Sequence, residues 1–400
     1  MLACRGGGGQ SRRTYAAAVP PRGELGLWRG GLPDESVVAA GARLEQLTRR
    51  AGIGQTKSTL GLVSHRINMI VDSERSDGPG EPVALAAEWA PAYELLISFG
   101  CFVFSRLHSL LDLGPVWVRR VRDTLPTELA ERLTHKAMAA SLKEDSDLLM
   151  LLVRVCPGER DARGFLDWFA GLGPGGAYEA LVHHLPDGGP GLPRDFAAGR
   201  DRYVELLSGW ESAYFRHLDP VLLDELARSA ARLSSRIGTA PVQHLVEEAT
   251  NGILVEPSPS LRAVTLVPQY HHRPYNTDVT ERGGVIILYP ADVRAAPGDV
   301  PAASLLRLTR ALSDESRLRI LRFLAQGPCT LTEVARFAGL SQPTVHHHLV
   351  QLRAAGLVRV HFVIASPSRY SLRPHALDQL SEQLGAYLHP PVSRKESPKP

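Results

Sequence analysis

Cysteine pairs are the first thing missing. The four cysteines (Cys4, Cys101, Cys156, Cys329) are widely spaced and none forms a CxxC, which argues against a disulfide framework or a cysteine-based zinc site. Long apolar runs are missing too. The best candidate, LLISFGCFVFSRLHSLL over Leu95–Leu111, is interrupted by Ser, Arg and His, so no membrane span is expected. Catalytic signatures are equally scarce: there is no GxSxG, no HExxH, no P-loop lysine motif and no dinucleotide fingerprint. GPGGAY at 173–178 is glycine-rich but lacks the lysine that would bind phosphate. No internal repeat is present. These gaps point to a cytoplasmic protein that is not an enzyme and needs no cofactor.

What is present is an ordinary globular composition over 400 residues, enough for two or three domains. The net charge of +3 is unevenly spread: residues 1–80 carry +4, 81–300 carry −8, and 301–400 carry +7. A basic end beside an acidic body suggests a separate polyanion-binding unit. Residues 1–80 read as a disordered or mis-annotated extension. They hold a Gly run, have no acid before Glu24 and show little apolar periodicity, and translation could begin at Met69.

Residues 81–295 read as one α+β domain. Helical spacing is expected around Leu95–Val103 and after Pro115. Further helices are expected at Thr127–Ala139, Ser146–Arg154, Gly164–Ala170, Tyr178–His183 and, broken near Asp219–Pro220, Ala197–Ile237. The runs GILVEPS, LRAVTLVP and GGVIILYP are short and β-branched, and they predict a small sheet closing the domain. A linker at 296–301 leads to a winged helix-turn-helix at 302–390, and 391–400 reads as a disordered tail.

The last unit is the most explicit. AASLLRLTRALS is a first helix. In SDESRLRILRFLAQGP, Ser313 or Asp314 can cap, Leu318, Ile320, Leu321 and Leu324 form the apolar side, and Gly327-Pro328 ends the helix. LTEVARFAGL is a short helix closed by Gly339, with Val334, Ala335, Phe337 and Ala338 expected to pack inward. Ser341 then caps SQPTVHHHLVQLRAAGL, with Pro343 tolerated in the first turn. Val345, Leu349 and Leu352 face inward at helical spacing. Gln342, His346 and Arg353 are left on the outer face, with Thr344 and His347 beside them. A helix in this position inserts its N-terminal part into the major groove, so Ser341, Gln342, Thr344, His346, His347 and Arg353 are the candidate DNA contacts. LVRVHFVI and SRYSLRP read as a wing turning near Ser366-Pro367, with Arg359 and Arg369 placed for phosphate. PHALDQLSEQLGAYL is an amphipathic closing helix suited to dimerisation.

DESRLRILRFL, LTEVARFAGLSQPTVHHHLVQLRAAGLV and YSL together resemble the ArsR/SmtB family of winged-helix repressors, in order over about 85 residues. The resemblance implies a homodimer that binds double-stranded operator DNA and releases it when an effector binds. LDLGPVWVRRVRDTLP and TLVPQYHHRPY…VIILYPAD resemble an uncharacterised N-terminal domain fused to some such regulators, which implies no ligand. Some family members bind metal, but the positions implied for a cysteine pair hold Thr330 and Thr332, with Cys329 one residue out of register. The last helix offers only His375, Asp378 and Glu382. His346–His348 point about 100° apart in turn and cannot converge on one ion. No metal site is expected, and a metal-sensing repressor with a non-standard site stays the alternative, with an enzyme domain behind it. Trp117, Trp168, Trp210, Tyr214 and Phe215 read as core, and His271-His272 with Tyr270, Tyr275 and Asp278 as either a surface loop or an effector-pocket wall.

Overall fold

The computed structural model describes residues 83–186, 191–256, 258–291, 301–362, 368–374 and 376–389, all within one compact unit, Ser58–Pro400. The expectations for 1–80, for 296–300 of the linker, for the wing turn and for 391–400 lie outside these residues. The fold is α+β with a winged helix-turn-helix at its C-terminal end.

Strand β1 (Ala84–Ala87) precedes α1 (Pro91–Val103), which opens on Pro91 and buries almost every side chain. A helix buried on nearly all sides belongs in the centre of a bundle: α1 packs against α3 (Thr127–Thr134), α4 (Lys136–Val155), α5 (Ala162–Gly171) and α7 (Phe196–Ala213), Phe102 meets Trp117 of α2 (Gly114–Thr124), and α6 (Pro174–Leu181) lies on α4. The stretch expected as one helix at 127–139 is broken at His135, whose Nδ1 accepts from the Ala137 amide at 3.2 Å and so caps α4. The helix expected at 146–154 is the second half of α4. Its first half is charged on its outside and shows too little apolar patterning to be recognised. Trp117, Trp210 and Phe215 are buried, Trp168 and Tyr214 partly so, and all five belong to the core cluster or pack against it.

After α8 (Pro220–Ser234) and α9 (Val242–Ala249) come β2 (Ile253–Val255), β3 (Ala263–Gln269), β4 (Thr277–Glu281) and β5 (Gly284–Pro290). The expected single sheet is in fact split. β1, β3, β5 and β4 form one four-stranded sheet in that order, parallel except for the β4–β5 pair. β2 leaves it for the wing.

The C-terminal part runs α10 (Ala303–Leu312), α11 (Glu315–Leu324), β6 (Cys329–Thr330), α12 (Leu331–Ala338), α13 (Gln342–Ala354), β7 (Val358–Phe362), β8 (Arg369–Leu372) and α14 (Ala376–Leu388). Its punctuation is local. Asp314 caps α11 through the Arg317 amide at 2.9 Å, and Thr330 and Glu333 form a reciprocal capping box on α12. Gly339 closes α12 in the left-handed region, and Ser341 caps α13 through the Thr344 amide at 3.3 Å. Ile320, Leu321, Leu324, Val334, Val345, Leu349 and Leu352 make the core. Leu318 and Phe337, expected inside, are 48% and 41% exposed, and Phe337 stacks on Phe323 instead.

The wing sheet has the order β2–β7–β8–β6, with β2 parallel to β7: Ile253 faces Val360, Leu254 faces His361 and Val255 faces Phe362. The N-terminal domain thus completes the sheet of the winged helix. Phe362 joins the apolar cluster of Leu245, Val246, Ile253, Val255 and Val264. This covers the edge of β7 and leaves the three-residue β2 as the outer strand on that side.

Candidate nucleic-acid interface

The open end of α13 is its start. Ser341, Gln342, Pro343, Thr344 and His347 are exposed. Gln342 Nε2 donates to Thr332 Oγ1 at 3.2 Å, which steadies the amide against α12. His347 Nε2 lies 2.8 Å from Gln351 Nε2, one turn on. The helix N-terminus adds a positive field, which favours phosphate in a groove.

This same segment is the one shared with known proteins. The helix-turn-helix domain family matches residues 312–361. The transcriptional regulator CmtR of Mycobacterium tuberculosis is 45% identical over 56 residues, 14% of this chain and 48% of that protein. NmtR of the same organism is 43% identical over 65 residues, 16% of this chain and 54% of its own length. A probable mercury resistance operon repressor of Streptomyces lividans is 44% identical over 52 residues, 13% and 42% of the two chains. The C-terminal segment is an ArsR-type helix-turn-helix. The chain spans about half the length of the curated relatives it matches. Among solved structures, NolR from Sinorhizobium fredii aligns over 20% of this chain and 81% of its own, at 26% identity and a TM-score of 0.18.

Within the ArsR-type segment, three further expected contacts, His346, Arg353 and Arg359, are not in the open. His346 is 8% exposed, not outward-facing. It shares a helical face with Val350, Arg353 and Ala354, and Val350 and Ala354 belong to the apolar cluster of the N-terminal domain. Arg353 is half-buried there. Burial pulls its pKa down, against the opposing influence of Tyr370, Asp278 and Tyr275 around it. Asp278 on β4 answers it: burial raises the carboxyl and Arg353 lowers it. Arg359 is also engaged, forking onto Glu247 of α9 with Nε at 2.9 Å and Nη2 at 2.8 Å. The cause is the β2–β7 pairing, which carries α9 alongside the wing. Arg369 is exposed and donates to the Pro328 carbonyl at 2.9 Å.

Further ties cross the same boundary. Arg307 on α10 pairs with Asp112 and donates to the Ala354 carbonyl at 3.2 Å, Arg373 pairs with Asn251, and His361 Nδ1 meets Glu256 at 2.7 Å. Polarity alone does not reveal the covered stripe. Val350 and Ala354, two apolar residues four apart opposite the Val345–Leu349–Leu352 side, are the signal that could.

Of the histidine pair at the end of β3, neither faces solvent. His271 is sealed in a network: Glu94 accepts from its Nδ1 and from the amides of Tyr270 and His271 at 3.0 Å, while its Nε2 meets Tyr214 Oη at 2.7 Å. Trp117 Nε1 donates to the same hydroxyl at 2.8 Å. Every member is satisfied, so the cluster fixes α1, α2 and α7 to the sheet. Among the described residues, no group of three or more His, Cys, Asp and Glu could hold a metal ion, and no helix is long and apolar enough to cross a membrane.

His272 differs. Burial, helped by Arg353 and opposed by Glu94, pushes its imidazole from 6.5 down to about 4. Below pH 6.5 the unfolded chain takes up a proton that the folded chain refuses. Stability should therefore fall as pH drops from about 6.5 to about 4, by on the order of 3 kcal/mol, and stay flat above that window. Urea midpoints measured across this range should fall more steeply for the natural protein than for His272→Phe; parallel curves would contradict the assignment.

Proposed function

We propose that the chain is a one-component transcriptional regulator whose winged helix-turn-helix binds operator DNA as a homodimer, acting as a repressor. Residues 81–295 sense an effector, supply dimer contacts, or both. The observation that carries this reading is the exposed start of α13, where Ser341, Gln342, Thr344 and His347 project from a capped helix N-terminus. Leu384, Tyr387 and Leu388 on α14 are exposed apolar side chains suited to a second copy. No catalytic role is assigned.

The N-terminal domain also holds α13 by its Val350–Arg353–Ala354 face and occupies Arg359. We read this as the low-affinity state. A DNA-bound state would need Arg359 released from Glu247, and an effector that prefers one arrangement shifts the balance between them.

Binding to the DNA upstream of its own gene should weaken by roughly 10³-fold between 50 and 200 mM salt, as phosphate-dominated binding does. Gln342→Ala combined with His347→Ala should erase most of the preference for operator over random DNA, at about 1–3 kcal/mol for each base no longer read. His346→Ala should change discrimination far less. Both are read by fluorescence anisotropy, and failure to bind upstream DNA at low salt would sink the reading.

A further inference from the structure

A half-open cavity of about 90 Å³ lies between α1, α4 and β4. Its wall is mostly apolar, with Leu96, Ile97, Leu149, Met150 and Val279 facing it. Its polar groups are Ser146, Asp147, Thr277 and His272. An apolar cavity with a few convergent polar groups is the usual form of a small-molecule site. The volume is of the order of the ~150 Å³ that accommodates benzene in an engineered protein core, and the open side lets a substituent extend outward.

His272 makes this more than a packing gap. The residue is 5% exposed and is fixed by its amide, which donates to Gln269 Oε1 at 2.8 Å. Yet its buried Nδ1 has no hydrogen-bond partner. An orphaned buried ring nitrogen is costly and uncommon in a settled core. A hydroxyl serves either tautomer of the ring, since it both donates and accepts. The charge around the cavity narrows the choice further. Asp147 lines it and Asp278 lies beyond Thr277, which disfavours a carboxylate ligand, while Arg353 close to His272 disfavours a cation.

We propose that this cavity is a binding site for a small neutral alcohol or phenol, its hydroxyl hydrogen-bonded to His272 and its hydrocarbon part among Leu96, Leu149, Met150 and Val279. Occupancy acts on the recognition helix over a short path. Thr277 lines the cavity, and the next residue, Asp278, lies within electrostatic reach of Arg353 of α13. This coupling rests on the regulator reading; the binding itself does not.

The test uses the full chain with phenol, benzene, benzoate and benzylamine in calorimetry and thermal-shift assays. Phenol should bind at least ten-fold tighter than benzene and than either charged analogue. His272→Leu should abolish that ten-fold preference while leaving benzene binding unchanged, and Leu149→Trp should abolish both. Should Leu149→Trp misfold, the Met150 methyl resonance of the natural protein gives the same answer, shifting on addition of phenol. Equal affinity for phenol and benzene, tighter binding of benzylamine or benzoate, or a preference that survives His272→Leu would overturn the site. Phenol binding that leaves operator affinity unchanged would overturn the coupling, and absence of any operator binding would fall on the regulator reading alone.

Discussion

Glu94→Ala should destabilise the protein by about 3–5 kcal/mol, the range for breaking a buried charged network by removing one partner. The side chain is fully buried and takes three donors: the amides of Tyr270 and His271 and the Nδ1 of His271. Deleting the carboxylate leaves all three in an apolar interior with no water to replace it. It also unties His271 from Tyr214 and Trp117, so α1, α2 and the end of α7 lose their common anchor on the sheet. Glu94→Gln should help little. Its NH₂ group would face an N–H where an acceptor is needed, so the shape is kept and the pairing lost. At about 2–4 °C per kcal/mol for a unit of this size, the melting temperature should drop by roughly 10 °C in calorimetry. A variant melting within 2 °C of the natural protein (about 1 kcal/mol or less) would show that the network contributes little.

The winged helix is legible in the sequence because its signals are local. Thr330 and Glu333 stand three apart, Ser341 precedes an apolar period, and Gly339 and Gly356 sit where left-handed residues end helices. Each is settled within one turn of chain. The N-terminal domain is legible only in its apolar helices and its β-branched strands. β1 is ALAA, with almost no intrinsic strand character, and β4 is TDVTE, β-branched but short and too polar to stand out. They are strands because β3 and β5 offer them ladders, and that information lies some 180 residues away for β1.

The candidate site divides in the same way. Helical periodicity places Val345, Leu349 and Leu352 inside, and the open start of α13 follows from the cap. What covers the opposite face is a tertiary matter. His346 and Arg359 are polar residues at outer positions, and no local rule distinguishes a partner made of DNA from one made of the chain's own α9 and β4. Local sequence likewise leaves the histidine pair open between a surface loop and a pocket wall. The structure seals His271 into the core and puts His272 on a cavity, a distinction that depends on Glu94, far away in α1.

Gly252→Ala should uncouple the two halves of the chain. Gly252 has φ +123°, where an L-residue is strained, and a Cβ there would lie 2.7 Å from the backbone oxygen of Val358. The strain alone costs about 1–3 kcal/mol, and the clash is with backbone at the centre of the wing sheet, which cannot step aside as a flexible side chain could. Yet this is the residue that feeds β2 onto β7, its carbonyl accepting from the Val360 amide at 2.8 Å. Relief comes most cheaply by moving β2 out of the sheet. Arg359 then loses its fixed position over Glu247, and the edge of β7 opens. Calorimetry should resolve two transitions for the variant and one for the natural protein, and limited proteolysis should separate the two halves at least several-fold faster. On the regulator reading, the same variant should bind operator DNA more tightly, because Arg359 and the outer face of α13 become available to phosphate. A single unshifted transition with unchanged cleavage would mean that β2 does not hold the halves together, and tighter packing with weaker DNA binding would reverse the assignment of this conformation as the low-affinity state.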